Sequence, residues 1–166
     1  MELTHNKIVK LINDKFSAEG YTRVKCMNNH WRPDIVLLAP NNKFAVAYEI
    51  KSPNPSHKEL RFGIIQTLEG FIYGFCSYYV IYDKDYDTIK HLLFDQIGIF
   101  TYNSEGGLSL IKDAETPTDS KDIVKDLLNK QIPKPRKVKI RNYNMIRNGK
   151  LIHVRGHLAK RKSKRR

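Results

Sequence analysis

Apolar residues recur along the chain with two different periods. In "LTHNKIVKLINDKFSAEGY" (3–21), Ile8, Leu11, Ile12 and Phe16 fall at i, i+3, i+4 and i+8. That spacing predicts an amphipathic helix, with Thr4 as its cap and Gly20 as its stop. "TRVKCMN" (22–28) reads as a strand. "PDIVLLA" (33–39) and "FAVAYEIKS" (44–52) read as two more, joined by the turn sequence "PNNK". After the loop "SPNPS" a second helix is expected over 57–75, then a strand in "SYYVIYD" (77–83), whose aromatic and β-branched residues suit a pleated surface. Ile89, Leu92 and Leu93 suggest a helix over 86–97, "GIFTYNSEGGLSLIKD" (98–113) a hairpin turning at Glu105-Gly106-Gly107, and 119–132 a last helix opened by Asp119 or Ser120. The order α-β-β-β-α-β-α-β-β-α predicts an α/β fold, a mixed β-sheet flanked by helices.

Charge divides the chain in two. Residues 133–166 hold 14 Lys and Arg and no acidic group, whereas residues 1–132 hold 16 basic against 17 acidic groups. The expected organisation is therefore a near-neutral domain over 1–132 followed by a basic extension over 133–166. A net charge of +13 concentrated in that way points to a polyanionic partner. Within the extension, Asn148-Gly149 between β-prone arms predicts a small hairpin over 144–156, with 157–166 as a mobile arm. Arg136, Lys137, Lys139, Arg141, Arg147, Lys150, Arg155, Lys160 and Arg161 are the candidate phosphate contacts, reading backbone rather than sequence. Cys26 and Cys76 have no CxxC spacing and frame no disulfide scaffold. With no signal-like segment and no apolar run of about 18 residues, a cytoplasmic protein with no membrane partner is expected.

The strands 33–39 and 44–52 raise a question, because they carry Asp34, Glu49 and Lys51 among apolar neighbours. Charged groups in such a setting need partners or a job. A turn centred between Asn41 and Asn42 pairs positions whose numbers sum to 83, which sets Asp34 opposite Glu49. Facing residues have Cβ atoms about 5 Å apart, so the two carboxylates would repel unless a cation lay between them. Lys51, two residues on from Glu49, shares its face. Two hard oxygen donors beside an ammonium suit Mg²⁺ or Mn²⁺ and the hydrolysis of a phosphodiester.

"RPD" (32–34), fifteen residues later followed by "EIK" (49–51), resembles the signature of the PD-(D/E)XK nuclease superfamily, which includes restriction endonucleases, archaeal Holliday junction resolvases and RecB-type exonucleases. The resemblance covers roughly residues 1–85 and implies a restriction-endonuclease-like sheet. It implies metal ligation by Asp34 and Glu49 with the carbonyl of Ile50 as a further ligand, and a catalytic role for Lys51. Some members carry a Gln on the following helix, where Gln66 stands, with Tyr73 two turns on. Many carry an acidic residue on the first helix; Glu2 is the only early candidate. The activity implied is that of a divalent-metal-dependent DNA endonuclease. No small-molecule cofactor is expected, and a cut through both strands would favour a homodimer.

Plainer readings stand beside these. Asp34 and Lys51 could form a cross-strand ion pair worth about 0.5 kcal/mol, which leaves Glu49 unexplained. His5 lies one turn before Ile8 and reads as a structural histidine rather than a catalytic one. Trp31 reads as packing beside the site. Lys58 and Arg61, at the start of the second helix, are either phosphate contacts or a solvated helix end. Two rival functions remain: a catalytically silent nuclease-fold protein that binds nucleic acid, and an RNA-associated factor in which the basic extension does the work.

Overall fold

A computed structural model describes residues 3–26 and 31–131, and in the C-terminal part the strands 137–139, 143–147, 150–154 and 158–160. The chain divides into two units, Met1–Gln131 and Ile132–Arg166. In the first, six strands form one sheet in chain order: β1 (Thr22–Val24), β2 (Ile35–Leu38), β3 (Ala45–Ile50), β4 (Cys76–Tyr82), β5 (Gly98–Tyr102) and β6 (Leu108–Lys112). β3, β4 and β5 run parallel, and the other neighbours pair antiparallel. A parallel pair needs a crossover, and α2 (His57–Ile72) supplies it between β3 and β4. Between β4 and β5 the crossover holds only α3 (Tyr86–Ile89) and short 3₁₀ turns.

Helices cover both faces of the sheet. α1 (His5–Ala18) lays Ile8, Ile12 and Phe16 on Ile35, Leu37, Val46, Tyr48 and Ile50. On the other face α2 sets Leu60 and Ile64 against Tyr79, Ile81 and Ile99. α4 (Ser120–Gln131) brings Val124 and Leu127 into a cluster with Trp31, Val36, Ala45, Ala47 and Phe75. The period-2 alternation along β3 therefore sends Val46, Tyr48 and Ile50 to α1 and Ala45, Ala47 and Glu49 to the opposite face. α2 comes close to the sheet because Gly63 and Gly70 face it. A Cβ on Gly63 would lie 2.5 Å from the Tyr79 hydroxyl and 2.6 Å from Lys51 Cε, and one on Gly70 2.4 Å from Ser77 Oγ.

Several sequence expectations need correction. The strand expected over 22–28 pairs only over Thr22–Val24, where Val24 faces Val36; residues 27–30 lie outside those described. The "PNNK" turn closes with a 3₁₀ turn over Pro40–Asn42, in which Asn41 and Asn42 take left-handed φ of 61° and 54°. Asn tolerates that region better than most side chains, and the register sum of 83 is kept from Ile35–Tyr48 to Leu38–Ala45. α2 stops at Ile72, three residues short, because Gly74 turns to φ +89° and its N–H bonds Phe71. The helix expected over 86–97 lasts one turn. At Leu93 the backbone becomes extended (ψ 137°), and Ile97 then enters the Tyr79–Ile81–Ile99 cluster.

In the second unit, β7 (Lys137–Lys139) pairs antiparallel with β10 (Leu158–Lys160), and β8 (Tyr143–Arg147) with β9 (Lys150–Val154). The reading of 157–166 as a mobile arm is thereby corrected for 158–160, which form a strand. Asn148-Gly149 lie outside the described residues. Among the described residues no helix is long and apolar enough to cross a membrane.

Candidate active site at the end of the β2–β3 hairpin

The ladder between β2 and β3 stops at Ile35, for a reason written in the sequence. The Ala39 N–H donates to the Phe44 carbonyl, which makes the odd-numbered β2 positions the hydrogen-bonded ones. The next such pair after Ile35–Tyr48 would be Pro33–Ile50, and Pro33 has no N–H to give. The chain bends at Asp34 instead. The Asp34 N–H donates to the Tyr48 carbonyl at 3.1 Å, and the Ile50 N–H donates to Asp34 Oδ2 at 2.8 Å. Asp34 thus replaces a ladder carbonyl with its own carboxylate, fixed beside β3. The register sum of 83 ends at Ile35–Tyr48: the Asp34 N–H also goes to Tyr48, so the expected facing pair Asp34–Glu49 is not part of the ladder, and the two carboxylates share only the pocket at the strand ends.

Glu49 and Lys51 share a face, as alternation requires. Lys51 Nζ donates to Glu49 Oε1 at 2.8 Å and to Gln66 Oε1 at 3.1 Å. The backbone of Lys51 is held on both sides: its N–H donates to the Val80 carbonyl, and its carbonyl accepts from the Tyr102 hydroxyl at 2.8 Å. Gln66 is held too, since the Trp31 indole N–H donates to its carbonyl at 2.9 Å. Trp31, only 4% exposed, packs beside the site as expected. The cross-strand pairing of Lys51 with Asp34 is replaced by the Lys51–Glu49 pair.

Two further groups reach the site from other elements. His5 Nε2 lies 3.3 Å from Asp34 Oδ1, so the histidine read from sequence as structural has a carboxylate partner at the edge of the pocket. Its signal was positional: a polar residue at the start of a buried helix face sits over the end of the strand below. Glu59 lines the same pocket from the first turn of α2. There Ser56 and Glu59 form a reciprocal capping box, and the bonds from Ser56 hold the Glu59 carboxyl below its ordinary value. The pocket, about 370 Å³, is bounded by His5, Asp34, Glu49, Lys51 and the Ser52–Pro55 loop.

Burial pushes the Glu49 carboxyl up from its ordinary value; the Lys51 hydrogen bond opposes this, and the nearby Asp34 charge adds to the rise. Among the described residues no group of three or more His, Cys, Asp or Glu could hold a metal by side chains alone. Mg²⁺ does not require one: it takes one or two carboxylates and keeps several waters. Ile50 presents its N–H to Asp34, and strand geometry turns its carbonyl to the same side. Asp34, Glu49 and the Ile50 carbonyl therefore make a donor set whose chemistry fits a hard divalent ion.

The remaining candidates fall elsewhere. Lys58 and Arg61 are exposed on α2 and line a separate groove with His57, Phe62 and Ile65 rather than the Asp34 pocket. Tyr73, at the end of α2, lies tilted against Trp31, with ring centroids 5.7 Å apart. Lys137 and Lys139 lie in β7, Arg147 in β8, Lys150 in β9 and Lys160 in β10. Arg136, Arg141, Arg155, Arg161 and Glu2 lie outside the described residues. A cleft of about 490 Å³ next to Asp34, not anticipated from sequence, is lined by Arg23, Lys25 and Arg32 together with Cys26 and Pro33. These cations are diluted in a near-neutral domain, and only the β1–β2 pairing gathers them.

No protein-family model matches the chain, and no curated protein matches it significantly. Its fold is similar to that of the SPO1766 protein of unknown function from Silicibacter pomeroyi, with a TM-score of 0.57 and 14% identity over 78% of this chain and 85% of that one. At that identity the likeness concerns the fold alone.

Proposed function

We propose that the chain is a divalent-metal-dependent DNA endonuclease of the PD-(D/E)XK kind, with a restriction-endonuclease-like core and a basic C-terminal element that binds DNA. The observation that carries this reading is the side-chain set of one pocket: Asp34 and Glu49 at the end of adjacent strands, with Lys51 anchored between Glu49 and Gln66. A structural sheet gains nothing from two neighbouring carboxylates, one of them 7% exposed.

In this reading Asp34, Glu49 and the Ile50 carbonyl hold Mg²⁺ or Mn²⁺. When bound, the ion supplies Lewis acidity to a phosphate oxygen and acidifies a water. The chain's own residues do the rest. An ammonium has three donors, and Lys51 gives two to Glu49 and Gln66, which leaves the third for a non-bridging phosphate oxygen or the attacking water. That placement stabilises charge that grows as the water oxygen bonds to phosphorus and the P–O bond to the leaving sugar oxygen breaks. Gln66 is a positioning residue, since it acts through Lys51. His5, against Asp34 Oδ1, fixes the orientation of that carboxylate. Arg23, Lys25 and Arg32 offer a path for the phosphate backbone up to Asp34.

The test is a cleavage panel of linear, nicked, flapped and four-way DNA with Mg²⁺, Mn²⁺ or EDTA. Metal-dependent cutting of at least one substrate is expected. Tight DNA binding without cutting in either metal would favour the silent reading, and preference for RNA at matched salt would favour the RNA-associated one.

A further inference from the structure

The outer face of α2 carries large apolar side chains in water: Phe62 is 57% exposed, Ile65 52% and Ile72 72%. A helix normally turns such residues inward, and α2 already has an inward face in Leu60, Gly63, Ile64, Thr67 and Gly70. It is thus apolar on two sides, one of them without cover among the described residues. Isolated exposed apolar residues need no explanation, whereas an ordered stripe marks an interaction site.

The stripe has an internal symmetry that names its occupant. At 100° per residue the face centres on Ile65, and residues equally far before and after it lie at mirror angles. Arg61 and Glu69 stand four residues on either side, both exposed and of opposite charge. Phe62, exposed, and Leu68, half-buried against the inner cluster, stand three residues on either side, both apolar. Lys58 and Ile72 stand seven on either side, so the aliphatic stem of one can cover the other. Two copies of this helix packed antiparallel about a two-fold axis at Ile65 would place Arg61 of each against Glu69 of the other. Ile65 would meet its own copy, and Phe62 the exposed edge of Leu68. An isologous interface requires such self-complementarity, which the opposite charges of Arg61 and Glu69 supply here.

We infer that the exposed face of α2 is a homodimer interface, closed by two symmetry-related Arg61–Glu69 ion pairs around an Ile65–Phe62 apolar centre. Arg61, considered above as a phosphate contact, then serves the second copy instead. None of Arg61, Phe62, Ile65 or Glu69 lines the Asp34 pocket. The inference does not depend on the chemistry proposed for that pocket.

The experiment is sedimentation equilibrium on the full chain, freed of nucleic acid, at physiological ionic strength. The wild type should have twice the 19.4 kDa chain mass. Arg61→Glu and Glu69→Arg should each raise the dimer dissociation constant at least about tenfold, by facing like charges across both pairs. Combining them should restore the dimer, because the swapped charges meet again. Circular dichroism of each variant confirms folding; both positions are exposed, and Glu69→Gln provides a milder change should a reversal disturb α2. A monomeric wild type would overturn the inference. So would single variants that stay dimeric, or a double variant that stays monomeric while folded. A loss of DNA affinity in Arg61→Glu with no change in mass would assign the face to nucleic acid instead.

Discussion

Lys51 Nζ sits between Glu49 Oε1 and Gln66 Oε1, and its alkyl stem passes Gly63 at a distance that would exclude a methyl group. Replacing Lys51 by Ala should slow single-turnover cleavage about 100–1,000-fold, the usual loss for one donor aimed at developing charge, with little change in metal affinity. A rate within a few-fold of wild type would reduce Lys51 to a partner of Glu49. Glu49 itself has a consequence for stability that needs no substrate. Its carboxyl is raised in the folded chain, chiefly by burial, so the folded state favours the protonated form. The stability present below the ordinary glutamate value of 4.5 is then lost as pH rises through the folded value. Glu49→Gln keeps an acceptor for Lys51 and removes the titration. In EDTA its melting midpoint should exceed that of wild type at neutral pH, and the difference should shrink as pH falls toward 4.5. Equal midpoints at both ends of that range would mean that the carboxylate carries no burial penalty.

The elements divide into those that sequence specifies and those that depend on neighbours. Asp34, Glu49 and Lys51 were legible because a strand has period 2 and a short turn fixes the register. The shared face of Glu49 and Lys51 follows from the first fact, whereas the ladder ends at Ile35–Tyr48 and the place of Asp34 depends on its own bond from the Ile50 N–H. The approach of His5 to Asp34 was not legible, since it comes from another element and no local period records it. The segment 86–97 shows the opposite failure. Its apolar spacing is helical, yet the chain abandons helix at Leu93 because Ile97 must enter the core ahead of β5. α2 gives a test at this scale. Helix propensity alone would make Gly63→Ala stabilising by about 1 kcal/mol. The Cβ would meet the Tyr79 hydroxyl at 2.5 Å and Lys51 Cε at 2.6 Å, so crowding, at about 1–3 kcal/mol, should win. The expected result is a lower melting midpoint together with slower cleavage, because the displaced side chain is Lys51. A variant that melts above wild type with unchanged cleavage would show that α2 yields freely.

At the scale of the whole molecule, 14 cationic groups without an acidic one lie in residues 133–166, and the rest of the chain is near neutral. Each phosphate contact adds about −0.9 to the slope of log K against log salt, so engagement of half of them gives a slope near −6. Ser in place of Arg161, Lys162, Lys164, Arg165 and Arg166 leaves the β7–β10 pairing residues intact and should flatten that slope by up to about 4.5. An unchanged slope would assign those groups to another partner. The Arg23–Lys25–Arg32 cleft adds cationic groups to the first unit next to Asp34, and cutting at low salt should persist when those five residues are neutralised. The central claim is that Asp34 and Glu49 form one metal-dependent cleavage centre. Its most direct test is the cutting of supercoiled and four-way DNA by wild type, Asp34→Asn and Glu49→Gln, in Mg²⁺ and in EDTA, with DNA affinity measured on the same preparations. Cutting should occur only for wild type in Mg²⁺, with affinity kept in both variants. Cutting by either variant at near the wild-type rate, or by wild type in EDTA, would contradict it.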